Sequence, residues 1–318
     1  MKKEIVVKFL DFWESFNPED NKFVNLLRKH FSVKVLADDI ETPDILFYSR
    51  CGRHAHLKYD CLKVYYTGEN DFPDFNEADY AISFYPATCG GRNLRYPLYL
   101  FYELEIPDNA PVPGSAESLR RDFCSMVVSN TAMCDPKRIR IADWVEEYKP
   151  IAYGGKFRNN TGGPVADKMK FISGFKFNLA LENSDVEGYV TEKILEPLAA
   201  RTVPIYWGTD YVKKDFNPEA FINVNDFYTK ESLIAEIKRV DSDPAAYNKM
   251  LSANNHIEIL TRRYDEELER FLYEMARDLK RHTVRYGEMG AMHYYNSVLK
   301  PLEKSRWMMR IARILNKL

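Results

Sequence analysis

The feature that most constrains the fold is a repeated alternation of short, continuously apolar runs with helically spaced segments. EIVVKFL (4–10), VKVLA (33–37), DILFYS (44–49), KVYYT (63–67) and YAISF (80–84) have strand length and are bounded by Asp, Pro or Gly. FVNLLRKHF (23–31), set among them, has apolar residues at helical spacing. Strands apolar on both faces need cover on both faces, and helical crossovers supply it, so the pattern predicts an α/β protein with a mostly parallel sheet. A second series repeats the pattern, with strands at CSMVVS (124–129), FKFNLALEN (175–183), VPIYWG (203–208) and FINVND (221–226). Its helices are IADWVEEY (141–148), ESLIAEIKRV (231–240), AAYNKMLSANN (245–255) and DEELERFLYEMARDLKRH (265–282). Between the two series lies IPDNAPVPGS (106–115), with three prolines and a glycine, the best linker. The chain therefore divides into units 1–115 and 116–282 and a tail, 283–318. Its 318 residues suit two domains better than one.

Composition excludes several classes. The net charge is −2 and Lys and Arg are spread along the chain, where a nucleic-acid binder would show a basic domain. The cysteines, Cys51, Cys61, Cys89, Cys124 and Cys134, are odd in number and form no CxxC. They read as free thiols in a reducing compartment. The start, MKKEIVVKFLDFWESF, is interrupted by Asp11 and Glu14 and does not read as a signal peptide. No segment approaches a transmembrane helix in length, so the expected location is cytoplasmic. His54 and His56 are two apart, and no third ligand is spaced to complete a metal site.

ENSDVEGYVTEK (182–193) stands where a predicted strand ends and an apolar helix begins. In open parallel sheets the ligand site lies at such a place, beyond the carboxyl ends of the strands. Thr191 is the predicted N-cap, with Glu192 and Lys193 in the first turn. A lysine there opposes the helix dipole unless a bound anion compensates. Pro197 predicts a kink or a change in the helix.

KFNLALENSDVEGYVTEKILEPLAARTVPIYWG (176–208) closely resembles the donor-site signature of glycosyltransferase family 10, the α1,3/4-fucosyltransferases, above all the bacterial α1,3-enzymes. The resemblance continues through DFNPEAFINVNDF (215–227), and upstream in VYYTGENDFPDFNEADYAISF (64–84), RNLRYPLYL (92–100) and CSMVVSN (124–130). It implies a GT-B architecture, two Rossmann-like domains facing a cleft, with an acceptor-binding domain at 1–115 and a GDP-fucose-binding domain at 116–282. It implies inverting transfer of fucose from GDP-β-L-fucose to a hydroxyl, expected to be O-3, of an N-acetyllactosamine-type glycan on a surface polysaccharide or lipid, such as a Lewis-type lipopolysaccharide. By the same resemblance Glu69, in TGEN, takes the general-base position, and Arg138 is the arginine that binds the donor pyrophosphate. Lys137 and Arg140 are its alternates, because the Asn130–Arg138 spacing is longer than in the bacterial members. Asn183, Tyr189, Glu192 and Lys193 match the rest of the donor-binding set. No cofactor and no essential metal are implied.

The residue types suit that chemistry. Inverting transfer needs a base for the acceptor proton and stabilisation of the leaving diphosphate. Glu69 can be the base if burial raises its pKa. Arg138 can meet phosphate in bidentate geometry and Lys193 as a point charge. Glu192 accepts from sugar or ribose hydroxyls, and Tyr189 can bond a phosphate or stack on a ring.

Plainer readings stand beside these. Glu69 can be a solvated turn residue, and Glu192 with Lys193 an exposed first turn. Arg158, in YGGKFRNNTGG (153–163), is either a phosphate ligand or part of a Gly/Asn turn. Asp241-Ser242-Asp243 has the DxD form of metal-dependent transferases but precedes Pro244 and a helix, which favours a cap. The tail SRWMMRIARILNKL (305–318) has apolar and basic residues on separate helical faces. Residues 303–318 are either a peripheral contact with an anionic membrane or a helix docked on its own domain. The rival functions are a transferase with another GDP-sugar or acceptor, and a non-catalytic glycan- or nucleotide-binding protein of the same fold.

Overall fold

Strands that are apolar on both faces lie side by side, in one direction, in two separate sheets. The computed structural model describes residues 2–38, 41–51, 55–106, 121–129, 131, 134–253 and 255–282. Linker residues 107–115, Asn130, His54 and the tail 283–318, with the amphipathic stretch 303–318, lie outside the described residues.

The first unit holds β1 (Glu4–Leu10), α1 (Lys22–His30), β2 (Ser32–Leu36), β3 (Ile45–Tyr48), β4 (Leu62–Tyr66), β5 (Tyr80–Ser83) and β6 (Asn93–Arg95). They form a six-stranded parallel sheet in the order β2-β1-β3-β4-β5-β6. The second unit holds β7 (Asp122–Met126), α2 (Pro136–Glu146), β8 (Ile151–Tyr153), α3 (Lys168–Ser173), β9 (Phe175–Leu181), α4 (Glu192–Ala199), β10 (Val203–Trp207), α5 (Val212–Asp215), β11 (Ile222–Asn223), α6 (Lys230–Ser242), α7 (Pro244–Leu251) and α8 (Ile257–Asp278). Its sheet is parallel in the order β11-β10-β9-β7-β8. Every residue of β3, β4, β9 and β10 is buried, as mostly apolar strands in sheets covered on both faces require.

Two elements depart from the sequence reading. α8, assigned to the second unit, crosses back and packs on α1 of the first. Its face Tyr264, Leu268, Leu272 and Met275 joins Phe23, Val24 and Leu27 of α1 in one core, and Lys22 meets Asp265 at 3.1 Å. Burying large side chains of this kind contributes about 1.5–3 kcal/mol each, which is why the helix follows its apolar stripe rather than its place in the chain. α4 runs through Pro197 and stops two residues later, and the Thr202 N–H returns to the Pro197 carbonyl at 2.8 Å.

The units share their packing. The first core extends without a break through Ile194, Leu195 and Leu198 of α4 to Tyr206 and Phe216 of the second unit. Tyr99 and Phe216 meet edge-on at 5.0 Å across this seam. A second core lies on the other face of the second sheet, beneath α2, α6 and α7.

Candidate functional site

β9 ends on the apolar run Leu179–Leu181 and then turns polar at Glu182, Asn183, Ser184 and Asp185. Glu182 still belongs to the ladder, donating its N–H to the Trp207 carbonyl at 2.8 Å, and its side chain is carried fully inside. Gly208 leaves the room: a Cβ there would sit 2.8 Å from Glu182 Cγ. A buried carboxylate must be met by donors. Thr191 offers its backbone N–H at 2.8 Å and its hydroxyl at 2.9 Å, and Lys193 its ammonium at 3.0 Å. Burial pushes the Glu182 carboxyl above the usual range, and Lys193 opposes the shift. Burial works against the Lys193 ammonium too, but Glu182 and Glu192 outweigh it and hold its pKa above the ordinary lysine value. Thr191 is the N-cap of α4, as its position predicts, so this first turn presents a fixed, charged lysine beside Glu192, 3.9 Å away.

Asn183 ties this strand end to α2. Its carbonyl accepts the Asp135 N–H at 2.8 Å, and its side-chain oxygen accepts from the buried Arg138 guanidinium at 2.9 Å. Asp135 caps α2 through the Lys137 N–H at 2.7 Å. Of the three basic alternates, Arg138 bonds Asn183, Lys137 lies 5.6 Å over the Trp207 ring, and Arg140 is exposed. Two helix N-termini, of α2 and α4, thus meet at the carboxyl ends of β7 and β9.

Tyr189 is buried edge-on against Phe84 of the first unit, 5.2 Å between ring centres. Burial, then the charges of Glu182, Glu69 and Glu192, hold its hydroxyl protonated, while Arg138 pulls the other way. That one hydroxyl feels all four groups places Glu69, Arg138, Glu192 and the unforeseen Glu182 in its surroundings, and Asn183 and Lys193 adjoin through their bonds to Arg138 and Glu182. Tyr102 makes the same point from the first unit. Burial, Glu192, Glu196 and Glu69 push its pKa up to about 12.

Glu69 follows β4 on the TGEN turn, its N–H donating to the Thr67 hydroxyl at 3.1 Å. It is exposed, so the burial that the sequence reading asks of this carboxylate is not present. Next to it, the Asn70 amide donates to the Ser184 hydroxyl at 2.6 Å, joining the TGEN turn to the donor-motif loop.

Arg95, at the end of β6, locks the same loop. Its buried guanidinium pairs with Asp215 at 2.6 and 3.1 Å, donates to the Tyr264 hydroxyl and to the Gly188 carbonyl at 3.2 Å, and lies 4.3 Å over Tyr211. Gly188 has φ +84°, and a Cβ there would be 2.5 Å from the Phe84 carbonyl, so the loop can approach the first unit this closely only with glycine. Glu182, Asn70, Arg95 and Asp215 are absent from the sequence-derived set. Glu182 had a signal, a carboxylate directly after the apolar end of a strand, Leu179–Leu181. Arg95 and Asp215 lie in segments that carry the resemblance, but no local pattern pairs them with each other or with Tyr264.

The plainer readings hold elsewhere. Arg158 pairs with Asp143 at 2.6 Å and Glu146 at 3.4 Å on α2. Asp243 caps α7, and Asp241 receives Lys176, Lys149 and Tyr148, so the DxD-like run is structural. All five cysteines are free. Among the described residues, no His, Cys, Asp and Glu side chains gather in threes as they would around a metal, and no helix is long and apolar enough to cross a membrane.

Two parallel α/β sheets facing each other, with polar groups at their carboxyl ends, define the GT-B fold. The resemblance to solved structures agrees: an α1,3-fucosyltransferase crystallised with GDP-fucose is 26% identical, with a TM-score of 0.73 over 90% of this chain and 94% of that one. The same kind of enzyme with GDP gives 28% and 0.72 over 89% and 92%. The N-terminal domain model of α-(1,3)-fucosyltransferase FucT matches residues 7–102, and the C-terminal model of glycosyltransferase family 10 (fucosyltransferase) matches residues 118–293. The chain belongs to glycosyltransferase family 10. It is 34% identical over 264 residues to the α-(1,3)-fucosyltransferase FucT of Helicobacter pylori, covering 72% of this chain and 55% of that protein. An α-(1,4)-fucosyltransferase of Arabidopsis thaliana is 31% identical over 144 residues, 39% of this chain and 36% of that one. The chain spans about half the length, or less, of these curated relatives.

Proposed function

We propose that the protein is an inverting fucosyltransferase that moves L-fucose from GDP-β-L-fucose to O-3 of an N-acetylglucosamine-containing glycan. The observation that carries this is that the TGEN turn of one unit, through Asn70 and Ser184 at 2.6 Å, is joined to the loop of the other, where Arg138 bonds Asn183 at 2.9 Å and Lys193 bonds Glu182 at 3.0 Å. Membership of the family and the solved relatives with GDP-fucose and GDP support the choice of donor.

The diphosphate lies at the N-termini of α2 and α4, where free backbone N–H groups and the helix dipoles favour an anion. Arg138 and Lys193 supply positive charge as the leaving group gains negative charge. Glu192 accepts hydroxyls of the ribose or the fucose, and Tyr189 donates toward a phosphate oxygen. Glu69 takes the proton of the acceptor hydroxyl while that oxygen attacks fucose C1 from the face opposite the diphosphate. The bond from C1 to the β-phosphate oxygen breaks, GDP leaves, and the configuration at C1 inverts. Charge on the diphosphate is met by side chains and helix ends, so this route needs no cofactor and no metal.

Replacing Glu69→Ala tests the role of the base. Transfer should fall by about 10²–10⁴-fold, the usual contribution of such a group, while GDP affinity stays as it was. A variant that turns over at near the original rate would remove Glu69 from the reaction.

A further inference from the structure

Glu182 carries a charge with no exposure at all, and the loop it anchors does not need that charge. Its Oε1 accepts the Thr191 N–H at 2.8 Å and the Thr191 hydroxyl at 2.9 Å, contacts that a neutral acceptor would serve at a lower desolvation cost. Its Oε2 lies 3.0 Å from the Lys193 ammonium. Lys193 is the partner for which a negative charge matters.

The arrangement around that ammonium is directional. An ammonium has three N–H donors and no acceptor. Glu182 Oε2 takes one and the Thr191 hydroxyl a second, each at 3.0 Å. Thr191 is itself fixed, as the N-cap of α4 and by its contacts to Glu182. Glu192, 3.9 Å from the ammonium, is a counter-charge beyond hydrogen-bond reach. The Lys193 side chain keeps 18% of its surface and the Glu182 side chain behind it none, so the third N–H is the one left for a ligand. A lysine that grips an anion loses the rotamer freedom of its long stem, and one already held loses less on binding.

We propose that Glu182 is a positioning residue for the donor: by fixing the Lys193 ammonium directly and through Thr191, it aims the remaining N–H at the diphosphate. The inference rests on the donor being a nucleoside diphosphate sugar, and it adds a residue that touches no substrate.

The test is equilibrium binding of GDP to the full chain. Glu182→Gln keeps the size of the side chain, but whichever way the amide turns it sets an N–H₂ group against the Thr191 N–H or the Lys193 ammonium. By charge alone, removing a carboxylate beside a diphosphate would tighten GDP binding. Positioning predicts the opposite, a weakening of about tenfold. That weakening should vanish when Glu182→Gln is made in a Lys193→Met background, where there is no ammonium to hold. Glu182→Asp keeps the charge and draws it back by one methylene; it should weaken GDP binding too, and it serves if the glutamine variant does not fold. Since charge on the diphosphate grows as fucose leaves, kcat should fall by a larger factor than GDP affinity in either variant. Tighter or unchanged GDP binding in both variants would overturn the proposal. So would a weakening of the same size with and without Lys193, which would make Glu182 a structural anchor of the loop alone. If Lys193→Met binds GDP as the unaltered protein does, the role given to Lys193 above falls and this inference with it. A loss with Lys193→Met and none with the Glu182 variants overturns this inference and leaves that role standing.

Discussion

Replacing Asp215→Asn should both destabilise the protein and weaken its hold on GDP. Asp215 is 1% exposed and Arg95 7%, and they pair at 2.6 and 3.1 Å across the seam between the units. Asparagine keeps the shape and one acceptor oxygen, but it sets an amide N–H₂ against Arg95 Nη2, donor facing donor. The guanidinium is left buried with the Gly188 carbonyl and the Tyr264 and asparagine oxygens but without its counter-charge. Breaking such a pair from one side costs about 3–5 kcal/mol. For a cooperative unit of this size, each kcal/mol moves Tm by about 2–4 °C, so a fall of about 6–20 °C is expected. The double replacement Arg95→Met, Asp215→Leu leaves no orphaned charge and should cost less than the sum of the two single changes. Because Arg95 also holds the Gly188 carbonyl, next to Tyr189, GDP should bind less tightly in Asp215→Asn even at temperatures where it is folded. Thermal unfolding followed by circular dichroism, with GDP titrations on the same samples, reads both effects. A fall in Tm under about 2 °C, or single costs that simply add, would refute the reasoning.

Two further outcomes follow from the structure and the sequence. Lys193→Ala should weaken GDP binding as well as turnover. Since the Lys193 pKa is raised on folding, its contribution to stability is fully present below the unfolded value of 10.5 and is lost as pH rises through the higher folded value, so the difference in Tm between the unaltered protein and Lys193→Ala should stay constant in a pH series of thermal unfolding until that range is reached. Deleting 303–318 should abolish binding to anionic liposomes if that basic, apolar-striped segment is an interfacial helix; unchanged binding would show that it is not.

Much of the fold was legible where one local pattern decided it. β3, β4, β9 and β10 are buried along their whole length; β3 and β10 are unbroken apolar runs, and β4 and β9 are apolar apart from Lys63, Lys176 and Asn178. β6 and β8 have three residues each, too few for a period to register, and the sequence reading passes over both. The entry to α4 was legible because Thr191, Glu192 and Lys193 form one local unit, a cap and a first turn. What binds the donor loop from outside was not. Arg95, Asp215 and Tyr264 are brought together by the seam between the units and by α8 folding back on α1, and no spacing along the chain encodes that meeting. Glu69 was singled out by resemblance, but its exposure is set by the fold, which carries the turn after β4 out of the packed interior.

The most direct measurement is transfer of labelled fucose from GDP-fucose to N-acetyllactosamine by the full chain, in the presence of EDTA. The account predicts an α-linked fucosylated product at O-3 of the N-acetylglucosamine, with one GDP released for each fucose transferred. GDP-fucose left unconsumed across neutral N-acetylglucosamine-containing acceptors, by a protein that binds GDP, would contradict it.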